Sequence, residues 1–280
     1  MKKFLAVFDG YKMSVSTMEY AIQLTKLAGA HLVGVFLNEF IYHSYSVYEV
    51  ITTYKDYEEV LKKLDAKDEE KREEAALDFQ RRCEKEGIEF SIHKNKNIAI
   101  QELKHESMFA DLIIINESET FTKYKETLPT RFIKDLLGDV QCPVLVVPSS
   151  FKPVNKIILL YDGAPAALHA IKMFSYILNN PQNLPIEVFT VKEKRKQGLH
   201  LPDNKLMREF IKRHFPKTTF TVAKGDAEME ISNYLRNHPG NELVVLGAYQ
   251  RGEVSRWFKM SMADILMKEL NIPLFIAHNK

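Results

Sequence analysis

Two aspartates close apolar runs and are each followed by glycine: Asp9-Gly10 after residues 3–8, and Asp162-Gly163 after residues 156–161. An aspartate in that position caps a helix or shapes a turn with its own carboxylate. Arg251, Arg256 and Lys259 gather positive charge that suits an anion site, although an exposed surface loop has the same composition. Other chemistry is missing. The nine histidines have neither HxxxH nor HxH spacing, and no cysteine lies beside any of them. The two cysteines, Cys83 and Cys142, lie far apart without CxxC spacing and read as reduced structural thiols. No Gly-x-Ser-x-Gly elbow and no Walker loop occurs. We therefore expect no catalytic residues and no metal.

The elements that position the two aspartates repeat along the chain. Residues 3–10 (KFLAVFDG) return as residues 156–163 (KIILLYDG). Each run is followed by a helical pattern, Met18, Ile22 and Leu27 in the first copy and Ile171, Phe174 and Leu178 in the second. Further on, residues 110–115 correspond to residues 241–247. Each is followed by a polar loop, a helix and a terminal apolar run after proline, residues 144–147 and 274–277. The middle strands are residues 32–37 and 90–93 in the first copy, and 186–191 and 219–223 in the second. Between the first pair, Tyr57, Val60, Leu61, Leu64, Ala75, Phe79 and Cys83 recur near helical spacing and predict one long amphipathic helix. The charged run at residues 65–74 reads as its solvated face. The counterpart, residues 204–214, is shorter.

Continuous apolar strands alternating with helices imply parallel sheets covered on both faces. The expected fold class is α/β: two tandem Rossmann-like domains, residues 1–148 and 153–280, each a five-stranded parallel sheet with helices on both faces. The intervening Pro148-Ser149-Ser150-Phe151-Lys152-Pro153 is the linker.

At 280 residues, 45% hydrophobic and 27% charged, the chain has the material for two globular cores. No apolar run approaches the ~18 residues of a membrane span, and the N-terminal run is too short for a signal peptide, so a cytoplasmic protein without a membrane partner is expected. The formal charge of +2 conceals an asymmetry: residues 1–150 carry 20 basic against 25 acidic side chains, and residues 151–280 carry 19 against 12. No nucleic-acid-binding motif accompanies the basic half, and nucleic acid is not an expected partner. Tyr42, Tyr45, Tyr48, Tyr54 and Tyr57 place five of the twelve tyrosines together. Such rings either cover the crevice at the strand ends or the neighbouring domain, or present a surface to a partner or ligand.

The doubled order of elements, with residues 242–247 leading into Val254-Ser255-Arg256-Trp257-Phe258-Lys259-Met260-Ser261, resembles the universal stress protein family over nearly the whole chain. Nucleotide-binding members carry Gly, two residues, Gly, nine residues, then Gly and Ser or Thr, with an aspartate ending the first strand. Such glycines let backbone N–H groups approach phosphates at a helix N-terminus. By this resemblance Asp162, Gly247 and Ser261 fit the nucleotide motif of the second copy, whereas Gln250 and Met260 occupy its other two glycine positions. In the first copy only Asp9 survives. Thr130 and Arg131 stand where Gly-Ser would, Asn116 or Glu117 replaces the first glycine, and Glu119 or a neighbour replaces the second. Lys12-Met13-Ser14 and His31-Leu32-Val33-Gly34 match fragments of class I synthetase motifs, but His31 precedes the second strand instead of following the first.

The resemblance implies a non-enzymatic tandem universal stress protein acting in stress response through ligand or partner binding, with no cofactor and with ATP binding degenerate or lost. It leaves two alternatives: an ATP-binding member with slow hydrolysis or autophosphorylation, using the second copy, and an adaptor for a non-nucleotide small molecule. The expected partners are the other domain of the same chain, paired through the terminal strands as in a family dimer, and a protein partner or a homo-oligomer.

Overall fold

The structure, a computed structural model, describes residues 1–11, 13–37, 45–95, 98–122, 124–178, 184–194, 198–237, 241–247 and 262–277. The first half runs β1 (Lys3–Asp9), α1 (Val15–Ala28), β2 (His31–Leu37), α2 (Val47–Thr53), α3 (Tyr57–Lys85), β3 (Phe90–Asn95), α4 (Ala99–Ser107), β4 (Leu112–Asn116), α5 (Arg131–Asp139) and β5 (Val144–Val147). The second runs β6 (Lys156–Leu160), α6 (Pro165–Ile177), β7 (Ile186–Lys192), α7 (Asn204–His214), β8 (Thr218–Lys224), α8 (Ala227–Asn237), β9 (Glu242–Gly247), α9 (Met262–Glu269) and β10 (Leu274–Ala277).

All ten strands form one sheet in the order β3-β2-β1-β4-β5-β10-β9-β6-β7-β8. Each half contributes five parallel strands. The halves join where β5 and β10 pair antiparallel, Val146 opposite Leu274 and Val144 opposite Ile276. Both strands are wholly apolar and buried, so the pairing covers two edges that would otherwise expose unpaired backbone groups. One core lies between the sheet and α1, α3, α6 and α7, the other between the sheet and α4, α5, α8 and α9. Each runs across both halves.

Local signals set the elements. Ser14 caps α1 by accepting from the Thr17 N–H, and Gly29 ends it in the left-handed region that favours glycine. The glycine in β2, Gly34, makes room for α3: a Cβ there would lie 2.8 Å from the Phe79 ring. That ring is fully buried against Phe8, Phe36 and Phe90, and it has nowhere to retreat. In the second half, the buried Glu187 carboxylate of β7 is held by Lys156 at 2.6 Å, by Tyr234 Oη at 2.6 Å and by the Thr221 hydroxyl. Its pKa lies below the usual glutamate value: burial opposes ionisation, but these donors outweigh it.

The linker is bound to the first half. The Pro148 carbonyl accepts from Ser16 Oγ at 2.5 Å and from Asn116 Nδ2 at 3.4 Å. The Ser149 N–H donates to the Glu117 carboxylate, and the Phe151 ring packs edge-on against Tyr20, with centroids 4.8 Å apart. Glu117 is only 8% exposed, and burial pushes its pKa from 4.5 up to about 7 against the opposing pull of the Ser149 N–H.

Two outcomes follow. Gly34→Val forces its side chain into the Phe79 ring and lowers stability by about 2 kcal/mol, read as a fall in the urea midpoint. For Glu117, the folded pKa lies above the unfolded one, so its contribution is fully present below pH 4.5 and lost as pH rises through 7. Glu117→Gln is therefore more stable than the natural chain at pH 8, by at most roughly 3 kcal/mol. That advantage disappears by pH 4.5, and urea unfolding across the range measures it.

Candidate functional site

The strand-end crevices of the two halves are the places where the sequence puts its candidate residues. In the first, Asp9 Oδ1 accepts the Tyr11 N–H at 3.0 Å, which fixes the turn that follows β1. The Tyr11 ring lies against Arg72 of α3, whose guanidinium carbon sits 4.4 Å from the ring centroid, and Arg72 also donates to the Tyr11 hydroxyl. Asp68, 2% exposed, accepts from the same hydroxyl. Burial pushes the Tyr11 phenol up, Arg72 opposes that shift, and Asp68 and Asp9 add to it. The charged run of α3 is thus not all solvated face. Asp68 and Arg72 fall on the same helical stripe as Leu64, Ala75 and Phe79, four residues apart, and form an inward polar step in an apolar row.

The loop after β4 leaves the strand that neighbours β1. Asn116, at the end of β4, accepts from the Ser118 N–H at 3.0 Å and from the Ser118 hydroxyl at 2.6 Å. Phe121 is 1% exposed and packs on Phe132, with ring centroids 4.4 Å apart. Thr130 caps α5: its Oγ1 accepts from the Ile133 N–H and donates to the Glu119 carbonyl at 2.6 Å. The Arg131 N–H, at the first turn of α5, donates to the Glu126 carboxylate at 2.7 Å. A carboxylate of the chain itself therefore stands at the helix end, where backbone N–H groups favour an anion.

In the second half, Asp162 Oδ1 accepts the Ala164 N–H at 2.8 Å, the same bond to the residue two positions on that Asp9 makes. The neighbouring Gly163 has φ +87°, and a Cβ on it would stand 2.7 Å from Pro202 Cβ. Leu201, beside that proline, is buried in the core, so this segment covers the turn. Gly247 ends β9, and a Cβ on it would lie 2.4 Å from the carbonyl carbon and oxygen of Ala166. Close approach of α6 to β9 thus requires glycine here whether or not a ligand binds. Asn116 occupies the same place in the first half: Asn116 pairs with Val147 and Gly247 with Ala277, the last residues of the two terminal strands. There the side chain reaches Ser14 Oγ at 3.4 Å.

Ser261, with Gln250, Arg251, Arg256, Lys259 and Met260, lies outside the described residues, as does Tyr42. Asp162 follows β6 and Gly247 ends the adjacent β9, whereas Asp9 ends β1 in the other half of the sheet. The described tyrosines divide: Tyr45 stands beside Asp65 and Asp68, the neighbours of the first turn, and Tyr48 and Tyr54 face outward. Tyr45 donates to Asp65 at 2.6 Å, while Tyr48 and Tyr54 are 77% and 52% exposed. Among the described residues no group of three His, Cys, Asp or Glu side chains is placed to hold a metal ion, and no helix is long and apolar enough to cross a membrane. Sequence reasoning missed Arg72, Glu126 and Pro202. The phase of residues 68 and 72 with the apolar stripe was the available signal for the first; the other two sit in loops without a pattern.

No protein-family model matches the sequence, and no curated protein matches it. Solved structures do. A universal stress protein from Archaeoglobus fulgidus DSM 4304 superposes with a TM-score of 0.70 at 14% identity, over 99% of this chain and 96% of that one. A functionally unknown protein from Pseudomonas aeruginosa PAO1 gives 0.61 at 12% identity, over 99% and 92%. Both matches run the full length of the chain, through both copies of the repeat. With five parallel strands from each half joined at β5 and β10, this chain is built on the fold of a tandem universal stress protein.

Proposed function

We propose that the protein is a non-enzymatic tandem universal stress protein, with domains at residues 1–148 and 153–280, that acts in stress response by binding a ligand or partner and has lost ATP binding. One observation carries this reading: among the described residues, groups of the chain itself stand at the strand ends of both halves. In the first half the Glu126 carboxylate takes the Arg131 N–H, and Thr130 caps the same helix. A phosphate arriving there meets negative charge and a filled cap. In the second half Pro202 rests on Gly163, beside Asp162, and the Asp162 carboxylate is engaged with the Ala164 N–H. Gly247, the glycine that the nucleotide motif retains, has a packing reason for its identity. Gln250 and Met260 add side chains at the remaining glycine positions of that motif.

Calorimetric titration of the full chain with magnesium ATP tests the proposal. The expected result is no measurable heat and no thermal shift for the natural protein. A Gln250→Gly, Met260→Gly double variant regains weak binding if those two side chains alone bar the phosphates, and adding Asp162→Ala removes the gain. Tight ATP binding by the natural chain, or adenine nucleotide released on denaturing the purified protein, overturns the proposal in favour of an ATP-binding protein that uses Asp162, Gly247 and Ser261.

A further inference from the structure

Two surface features have no role in either crevice, and they lie in opposite halves of the sheet. After β2, α2 buries only Val50 and leaves Tyr48 and Ile51 77% and 48% exposed, with Tyr54 and Tyr57 exposed just beyond it. Acidic side chains border these rings: Glu49, Asp56 and Glu58, against Lys55, while Glu59 is paired with Lys63 at 2.7 Å. An amphipathic helix that turns apolar and aromatic side chains to solvent is the composition of an interface.

After β7, α7 has the opposite character. It buries Met207 and Ile211 and exposes Leu206, 68% accessible, among Lys205, Arg208, Lys212 and Arg213. Lys217 follows, and Glu209 is the only acid in that stretch. Arg208 lies over the Phe220 ring, 4.2 Å from its centroid, so the cationic strip continues onto the edge strand. Among the described residues, none of Lys205, Lys212, Arg213 and Lys217 has an acidic partner.

We propose that copies of this chain associate head to tail, the acidic aromatic face of α2 in one copy seating on the basic face of α7 in the next. Charge complementarity selects this occupant: the same chain carries −5 on residues 1–150 and +7 on residues 151–280. The two faces cannot meet within one molecule, because β2, which leads to α2, and β7, which leads to α7, point in opposite directions and lie seven strand spacings of ~4.8 Å apart, about 34 Å. Between copies they can. A contact between two different faces is heterologous, so it grows into open chains or closes into rings, and does not stop at a twofold dimer.

Sedimentation velocity of the full chain tests this. The natural protein should show an average mass that rises with concentration, with affinity falling roughly tenfold as salt goes from about 0.05 M to about 0.5 M. One variant removes the α2 face by Tyr48→Gln and Glu58→Gln, and another removes the α7 face by Lys205→Gln and Lys212→Gln. All four positions are exposed, and unchanged thermal melting verifies that both variants fold. Each alone should be monomeric, and an equimolar mixture should form a dimer and nothing larger, because each variant supplies the face the other lacks. The proposal is overturned if the natural chain stays monomeric at every concentration, if the α7 variant alone still associates as the natural chain does, or if the mixture stays monomeric.

Discussion

The antiparallel pairing of β5 with β10 governs the rest of this molecule. Four buried apolar residues from each half, Val144–Val147 and Leu274–Ala277, end their parallel sheets and would leave two long edges open. Pairing them antiparallel makes one ten-stranded sheet and reverses the strand direction between halves. Equivalent helices stay on the same face, α1 and α3 with α6 and α7, so the approximate twofold axis runs perpendicular to the sheet. The C-terminal strand ends of the two halves therefore lie on opposite margins, and no single small ligand can engage both crevices.

Within each half a second constraint acts, the distance between the first helix and the fourth strand. Where β9 carries Gly247, the first turn of α6 lies directly on the strand backbone. Where β4 carries Asn116, a side chain fits between strand and helix and bonds to Ser14 of α1 and to the linker at Pro148. One exchange thus changes both how tightly helix and strand approach and how the linker is held. Asp9 and Asp162, by contrast, make the same short-range bond to the residue two positions on. Turn formation is local and survives divergence of the surroundings, which is why a strand-end aspartate alone says little about a ligand.

The fold was legible in the sequence because its signals are repeated and periodic. The two KFLAVFDG-like runs, the prolines before residues 144 and 274, and the apolar stripe of α3 each recur or extend far enough to phase. Pairing of the terminal strands was what the resemblance to a family dimer implied, and their lack of polar residues agreed with it. The crevice contents were less legible. Asp68 and Arg72 were hidden in a run of charges whose members mostly face water. Glu126 and Pro202 act through loops, where no period connects residue type to position, and only coordinates show that the carboxylate reaches the Arg131 N–H or that the ring lies on Gly163. The tyrosine cluster was visible as composition, but its exposure depended on α2 being a separate short helix that buries Val50 and leaves Tyr48 and Ile51 exposed.

A duplicated fold invites symmetry that its surfaces here decline. The element between the second and third strands of each half is a 29-residue helix preceded by α2 in the first copy and an 11-residue helix in the second. Their charges differ in sign, while the buried sheet between them keeps its twofold arrangement. Core positions diverge little because a close-packed sheet penalises each change of volume, whereas the outer helices at the two ends touch few neighbours and are free to diverge. Identical ends could only pair with themselves, through isologous contacts. Ends of opposite charge give the chain a direction along its sheet, and that polarity is the new property that fusing two copies into one polypeptide permits and that a dimer of identical subunits lacks.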